Sequence, residues 1–242
     1  MRRVVITGLG GVTPIGNTLR DIKESVKHSK CGISEIERFD TKQFKVKLAG
    51  EVKDLDYEDY IDRKSANRMD RGDIFGVIAG IKAVDDSKLD FSEVDRERVS
   101  VFMSSGIGGL ETIENQYKRG MKKGFEKVSP FFIPMAISNL IASNLAIRYK
   151  LHGSCICPVT ACAGSGSAIG EGFRHIKDGY SDIVLAGGAE ASITPLGVGG
   201  FASMKALTTQ KDVTRASIPF DKDRTGLVMG EGSGVLVLEE LQ

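Results

Sequence analysis

The chain has 242 residues, with 33 lysines and arginines against 32 aspartates and glutamates, which gives a formal net charge of +1. This balance provides no general attraction to nucleic acid or to an anionic membrane surface. Hydrophobic residues make up 41% of the chain, and no apolar run approaches the roughly 18 residues of a membrane span. The N-terminus runs directly into a predicted strand, unlike a signal peptide. We therefore expect a cytoplasmic protein with no nucleic-acid or membrane partner.

Apolar runs typical of strands alternate with helical patterns along the chain. Residues 4–7 predict a strand and 19–26 a helix; residues 99–103 predict a second strand, followed by a helix from about Leu110. Residues 183–186 and 234–238 are nearly continuous apolar strands, as in a sheet covered on both faces. This alternation indicates an α/β fold.

Two other segments complete the pattern. Apolar residues between 133 and 145 lie on one helical face and predict a core helix. Residues 53–62 are acidic and polar, which predicts a surface excursion. The sequence contains no internal repeat and no low-complexity linker, so we expect a single layered α/β/α domain.

A strand followed by Gly8-x-Gly10 suggests a dinucleotide-binding turn. The full motif requires a third glycine at position 13, but Thr13 and Pro14 occur there and Gly16 comes too late. The motif is therefore too weak to predict a nucleotide site.

The four cysteines, at positions 31, 155, 157 and 162, do not form the pattern of a disulfide framework or a metal site. There is no Cys-x-x-Cys pair, and the three histidines, at positions 28, 152 and 175, lack ligand spacing. We therefore expect no metal and interpret the cysteines as buried thiols in a reducing compartment.

Cys162 is the strongest candidate for a nucleophile. The apolar run at 156–159 predicts a short buried strand, and apolar residues recur at helical spacing between 169 and 176. The sulfur would then lie where a helix begins, and unpaired backbone N–H groups and the helix dipole favour the thiolate there. The same amides can hold an oxyanion. The alternative is a small buried thiol that fills space beside glycines. Gly166 and Gly170 lie four apart on the helix after Cys162, so another backbone can approach closely, and we expect this helix to be central and buried.

A series of segments resembles, in order, the β-ketoacyl-acyl carrier protein synthases, the condensing enzymes of fatty acid synthesis, and most of all their type II elongating members. The segments are Val4-Val-Ile-Thr-Gly-Leu-Gly10, Phe39-Asp-Thr41, Arg68-Met-Asp70, Ser105-Gly-Ile-Gly-Gly109, Ser129-Pro-Phe-Phe132, Pro158-Val-Thr-Ala-Cys-Ala-Gly-Ser-Gly-Ser-Ala-Ile-Gly-Glu-Gly172, Ala186-Gly-Gly-Ala-Glu190, Thr194-Pro-Leu-Gly-Val-Gly-Gly-Phe201, Pro219-Phe-Asp221 and Gly230-Glu-Gly232. The resemblance covers essentially the whole chain.

The resemblance implies a thiolase-like layered α/β/α fold built from two pseudo-repeated halves. Residues 1–242 match the N-terminal half, which carries the nucleophilic cysteine, and the C-terminal half is absent from the sequence. In the family that half supplies a second oxyanion donor, two histidines and a lysine. We therefore expect this chain alone to be inactive in condensation and to need the missing half, in cis or in trans.

The resemblance also implies the chemistry. The cysteine at position 162 takes an acyl group from the phosphopantetheine of acyl carrier protein, and the acyl-enzyme condenses with malonyl-acyl carrier protein as carbon dioxide leaves. No cofactor is expected beyond that carried arm. Ile107 and Phe201 match residues of the acyl chamber, whereas Leu227 replaces a common phenylalanine and could reshape the pocket wall.

Basic residues match positions around the family's carrier-protein docking face, where an acidic carrier would be steered electrostatically. They are Lys64, Arg68, Lys127 and Lys205. In the family the strand at 155–159 lies at a two-fold interface, so we expect a homodimer. Asp221, Arg224 and Glu231 match a loop near the active site, where we expect them to bond one another.

Two functions remain open at the level of the sequence. The first is a condensing enzyme of fatty acid synthesis, and the second is a non-catalytic module that dimerises or binds carrier protein. A cysteine hydrolase is disfavoured because no motif places a histidine as base.

Overall fold

The computed structural model describes residues 2–241. The strands are β1 (Val4–Val12), β2 (Ser34–Glu35), β3 (Leu48–Ala49), β4 (Val99–Ser104), β5 (Cys155–Ile156), β6 (Ile183–Glu190) and β7 (Gly232–Glu240). The α-helices are α1 (Leu19–Lys27), α2 (Arg63–Ala66), α3 (Arg71–Ser87), α4 (Leu110–Lys123), α5 (Phe132–Ala136), α6 (Leu140–Tyr149), α7 (Gly164–Lys177), α8 (Pro195–Ser203) and α9 (Val213–Ala216). Short 3-10 turns cover Arg96–Arg98, Phe125–Lys127 and Ala161–Ala163.

The main sheet is mixed, with strand order β1-β7-β6-β4-β5. β7 pairs antiparallel with both β1 and β6, whereas β4 lies parallel to β6 and to β5. The predicted strands at 4–7, 99–103, 183–186 and 234–238 and the predicted helices at 19–26 and from 110 are all confirmed, and most extend a few residues further. β2 and β3 form a separate two-stranded ladder.

Helices cover the sheet on both faces, which gives the expected three layers. α3 and α6 pack on one face, where Phe75, Ile78 and Leu145 join the buried cluster against β4, β6 and β7. α7 packs on the other face, where Ala168 and Ile176 contact β4 and β6 side chains. Seven of the eight residues of β6 are buried, as its apolar sequence predicts for a strand covered on both sides.

The glycines of β1 serve helix packing. A Cβ at Gly8 would overlap the Ala83 carbonyl oxygen, and a Cβ at Gly10 would overlap the Ala79 carbonyl oxygen. Both carbonyls belong to α3, so the missing side chains let this helix lie directly on the strand. This contact accounts for the Gly-x-Gly pattern without a nucleotide.

The prediction of a buried strand at 156–159 is wrong. β5 has only two residues, and both are exposed. β5 lies at the edge of the sheet and is hydrogen-bonded to β4 alone. No other element of the described chain covers the apolar residues of this edge strand, so they are exposed.

The prediction of one core helix at 133–145 is only partly right. Ile137 has an extended backbone (φ −79°, ψ 140°), which separates α5 from α6. The Ala136 carbonyl accepts a hydrogen bond from Gly109 N at 3.0 Å, so it does not continue a helical ladder. Ile141 and Leu145 are buried as expected, whereas Ile133 is exposed.

The helix that follows Cys162 is also less enclosed than predicted. Its inner face is buried through Ala168, Gly172 and Ile176. A Cβ added at Gly166 or Gly170 would meet no atom within 4 Å, so the opposite face is open. The surface excursion predicted at 53–62 is confirmed, since these residues form no helix or strand and most are at least partly exposed.

A buried pair of carboxyl groups begins α3. Asp70 accepts a hydrogen bond from Gly72 N at 3.1 Å. Its side chain also accepts from the backbone N–H of Asp73, while Asp70 N donates to Asp73 Oδ2 at 3.2 Å, and these two reciprocal bonds form a capping box. Asp70 also accepts from Thr112 N at 3.0 Å and Thr112 Oγ1 at 2.6 Å. Asp70 therefore joins the start of α3 to the start of α4.

Burial raises the pKa of Asp73 from 3.8 to about 8. Between those values the folded protein holds a proton on Asp73 that the unfolded chain releases, so this group lowers the free energy of unfolding as pH rises. We expect Asp73→Asn to remove that contribution. The stability difference between the parent and the variant should then change with pH between 4 and 8, by at most about 1.4 kcal/mol per pH unit.

Denaturant unfolding across this pH range measures the effect. Asp85→Asn, which removes an exposed carboxylate from the same helix, is the control and should run parallel to the parent. Parallel curves for Asp73→Asn as well would show that Asp73 titrates normally in the folded state.

Candidate active site

Cys162 lies in a tight turn between β5 and α7. Cys162 is the central residue of the 3-10 turn Ala161–Ala163 and is exposed to solvent. Ala161, directly before it, has a φ of 51°, a left-handed conformation that non-glycine residues adopt at a cost. This conformation turns the chain from the sheet edge into the helix and presents the thiol at the surface.

Side chains from β4 and α7 hold this turn. Ser104 Oγ, at the end of β4, donates to the Pro158 carbonyl at 2.6 Å. Thr160 Oγ1 and Ser167 Oγ share a hydrogen bond of 2.8 Å. A Cβ at Gly164 would overlap Ser104 Oγ, so glycine at the first position of α7 allows the helix to approach β4.

The backbone beside the thiol has an available donor. Ala163 N donates to the Thr160 carbonyl at 3.2 Å, and Gly164 N donates to the Ala161 carbonyl. Within residues 2–241, Cys162 N donates no hydrogen bond to the protein. An unpaired amide next to a nucleophile is suited to stabilise an oxyanion.

Glu190, at the end of β6, fixes the loop that faces Cys162. Its carboxylate accepts from Gly106 N at 2.8 Å and from Ile107 N at 3.2 Å. Ser105 Oγ donates to it at 3.3 Å and Ser192 Oγ at 2.9 Å. This role was not predicted from the sequence, although a carboxylate at the end of a buried apolar strand was an available signal.

Cys162, Ile107 and Phe201 line one cavity of about 730 Å³. Phe201 comes from α8 and packs against the buried cluster that contains Val198 and Met229. Leu227, the residue that departs from the family pattern, also lies in the wall. The three residues predicted for nucleophile and acyl chamber are therefore brought together in space, and their roles stay predictions.

The four predicted docking residues lie outside this cavity. Lys64 is on α2, Lys127 is in the turn after α4 and Lys205 follows α8, and all three are exposed. The Arg68 guanidinium lies 4.5 Å from the centre of the Phe131 ring. The docking role of these residues also stays a prediction.

The expectation that the loop residues bond one another is right for Asp221 and Arg224 but wrong for Glu231. Glu231 is buried and pairs with Arg71, at 2.6 Å between Oε1 and Nη2, and accepts from Val52 N at 2.9 Å. Arg224 donates to the Asp221 carbonyl, while the Asp221 carboxylate bonds Arg215 at 3.3 Å. Glu231 therefore attaches this cavity wall to α3.

The interpretation of the cysteines as buried thiols is wrong. All four are free; Cys31, Cys155 and Cys162 are exposed, and Cys157 is partly exposed. Burial of the sulfur nevertheless raises the pKa of Cys155, which disfavours its thiolate. Across residues 2–241 there is no group of three or more metal-ligating side chains, and no helix is long and apolar enough to cross a membrane.

The family model described as "Beta-ketoacyl synthase, N-terminal domain" matches residues 1–242. The chain belongs to the β-ketoacyl synthase family. A curated relative, the 3-oxoacyl-(acyl-carrier-protein) synthase 2 of Synechocystis sp., is 47% identical over 242 residues, which cover all of this chain and 58% of that protein. The chain therefore spans well under two thirds of the length of this relative.

Solved structures agree with the family. The ishigamide ketosynthase/chain length factor matches with a TM-score of 0.90 and 30% identity, covering 99% of this chain and 59% of that one. A type II PKS acyl-carrier protein in complex with its ketosynthase bound to the hexaketide matches with a TM-score of 0.87 and 29% identity, covering 99% and 58%. The fold is thus the layered thiolase-like α/β fold of ketosynthases, as predicted.

The close contact at Gly164 generates a prediction. Gly164→Ala forces a methyl group against Ser104 Oγ, so we expect it to lower the free energy of unfolding by about 1–3 kcal/mol. Gly166→Ala, two positions along the same helix, enters open space and should be neutral or stabilising by up to about 1 kcal/mol. Denaturant midpoints of the two variants test this, and equal stability would contradict the packing.

Proposed function

We propose that this chain provides the acyl-accepting half of a β-ketoacyl-acyl carrier protein synthase of fatty acid synthesis. The Cys162 thiolate attacks the carbonyl carbon of an acyl thioester on the carrier's phosphopantetheine. A carbon–sulfur bond to Cys162 forms, the bond to the carrier sulfur breaks, and the carrier thiolate leaves. The acyl group is then held on the enzyme as a thioester.

One observation carries this proposal: an exposed thiol, with its own amide unpaired, faces a cavity partly walled by Ile107 and Phe201. Exchange between two thioesters is nearly balanced in energy. The protein's task is therefore to position the reactants and to stabilise the tetrahedral oxyanion. The Cys162 amide provides a donor, and the apolar walls suit an acyl chain.

The second step extends the chain by two carbons. Malonyl-acyl carrier protein loses carbon dioxide, and the resulting carbanion attacks the acyl carbonyl on Cys162. The carbon–sulfur bond breaks, the thiolate is released and a β-ketoacyl thioester remains on the carrier. Among the described residues no histidine lines the cavity; His175, near the end of α7, bonds Ser181 at 2.8 Å. The acid–base groups of this step are thus assigned to the part of the enzyme beyond this chain.

Self-association is also part of the proposal. β5 lies at the sheet edge with Ile156 exposed. An exposed apolar edge strand is a template for pairing with another strand. A two-fold dimer through β5 would cover it.

The acylation step can be tested directly. Incubation with an acyl-acyl carrier protein should add one acyl group to the chain, mapped by mass spectrometry to the peptide that contains Cys162. Cys162→Ala should abolish the adduct, whereas Cys31→Ala, which removes another exposed thiol, should leave it unchanged. An adduct on Cys31 or Cys155, or one that survives Cys162→Ala, would overturn the assignment.

The condensation step should require the remainder of the enzyme. General acid–base groups contribute roughly 10²–10⁴ in rate and an oxyanion donor roughly 10²–10³, so we expect negligible release of carbon dioxide from malonyl-acyl carrier protein by the purified chain. Co-expression with the C-terminal part of a relative should restore turnover. Rates of about 1 s⁻¹ or more by the chain alone, an ordinary enzymatic value, would contradict this division of labour.

A further inference from the structure

The carboxyl-terminal half of α4 and the turn after it expose an apolar stripe, defined here as Tyr117, Met121 and Phe125. The three residues are spaced by four and are 59%, 66% and 58% exposed. The Phe125 ring folds back over Gly120, and its centre lies 5.9 Å from that of Tyr117. The stripe is therefore an ordered surface built by the local packing of α4.

Cations surround the stripe. Segment 117–127 contains five lysine or arginine residues and one glutamate, a charge of +4, whereas the whole chain carries +1. The rest of the chain is consequently −3. The stripe is thus flanked by a local excess of positive charge, which can steer an acidic partner to it.

Few of these charges are neutralised within the chain. Lys118 lies 3.6 Å from Glu114, and Arg119 Nε donates to the Lys127 carbonyl at 2.6 Å. In residues 2–241 no carboxylate lies within 4.0 Å of the ammonium groups of Lys122 or Lys123. These two lysines are free to pair with an external anion.

The segment after the stripe runs back along α4 to the cavity. Ser129 N donates to Gln116 Oε1 at 2.8 Å, and the Arg68 guanidinium makes a cation–π contact with the Phe131 ring. The segment then reaches Ala136, whose carbonyl accepts from Gly109 N beside the Ile107 loop. Two predicted docking residues, Arg68 and Lys127, thus lie on a path from the stripe to the site of Cys162.

We propose that the stripe and its lysines bind the acyl carrier protein, extending the docking surface beyond Lys64, Arg68, Lys127 and Lys205. This inference rests on the proposed function. The partner surface would present carboxylates around an apolar side chain, with the carboxylates on Lys122 and Lys123 and the apolar group on Met121. A lipid surface would need no connection to Cys162, so the path to the cavity favours the carrier.

Titration of holo-acyl carrier protein into the full chain at low ionic strength tests the proposal. Lys122→Glu with Lys123→Glu should weaken binding about tenfold, which corresponds to about 1.4 kcal/mol. Met121→Ala should weaken it with the salt dependence unchanged, because it removes apolar contact alone. The control is Arg20→Glu with Lys23→Glu on α1; it alters the net charge equally on a helix that packs against β1, at the opposite edge of the sheet from β5, and should bind within twofold of the parent.

The outcomes separate this inference from the proposed function, since acylation of Cys162 at saturating carrier concentration is measured independently. Acylation together with unchanged binding by both stripe variants would overturn the stripe alone. Absence of both binding and acylation in the parent would overturn both. Binding to vesicles of anionic phosphatidylglycerol that the lysine variant loses, with carrier binding intact, would reassign the stripe to a membrane and overturn the proposal.

Discussion

The parallel pairing of β4 with β6 is the constraint on which the candidate site depends. In parallel strands the carboxyl ends lie at the same edge of a sheet, where the following loops form ligand sites. Ser104 ends β4 opposite Gly188 of β6, and Glu190 follows two residues later. β5 is parallel to β4 as well, so the turn that carries Cys162 leaves the sheet at this same edge.

Close packing of small residues converts that topology into a precise position for the thiol. A Cβ at Gly188 would lie 2.7 Å from the Ser104 carbonyl oxygen, and one at Gly164 would overlap the Ser104 hydroxyl. Glycine at both positions lets α7 and β6 approach the end of β4 together. Ser104 then has room to bond the Pro158 carbonyl and fix the approach to Cys162. The left-handed backbone at Ala161 is maintained because the chain on both sides of it is held.

The sequence predicted those features that depend on local pattern. The positions of four strands, the start of α4 at Leu110 and the place of Cys162 before a helix all follow from periodicity, and the family follows from motif order. Exposure did not follow, because an apolar run such as 155–159 reads the same at a sheet edge as at its centre. The break at Ile137 was also hidden, since it depends on a hydrogen bond to Gly109, distant in sequence. The hydrogen bonds between Glu190 and the Ile107 loop also join residues distant in sequence, so no local pattern predicts them.

The buried pair Asp70 and Asp73 connects the helices that cover the sheet to the loop that faces Cys162. Asp70 completes the first turn of α3, the helix that lies on the glycines of β1, and its second carboxylate oxygen holds the first turn of α4 through Thr112. The loop between β4 and α4 contains Ile107, so its far end is attached to the sheet-covering helix through Asp70 and its near end to β6 through Glu190. Ionisation of Asp73 is costly in free energy at this position because burial disfavours the charged carboxylate. The acceptor oxygen of Asp73, which binds Asp70 N, orients the residue that carries the attachment.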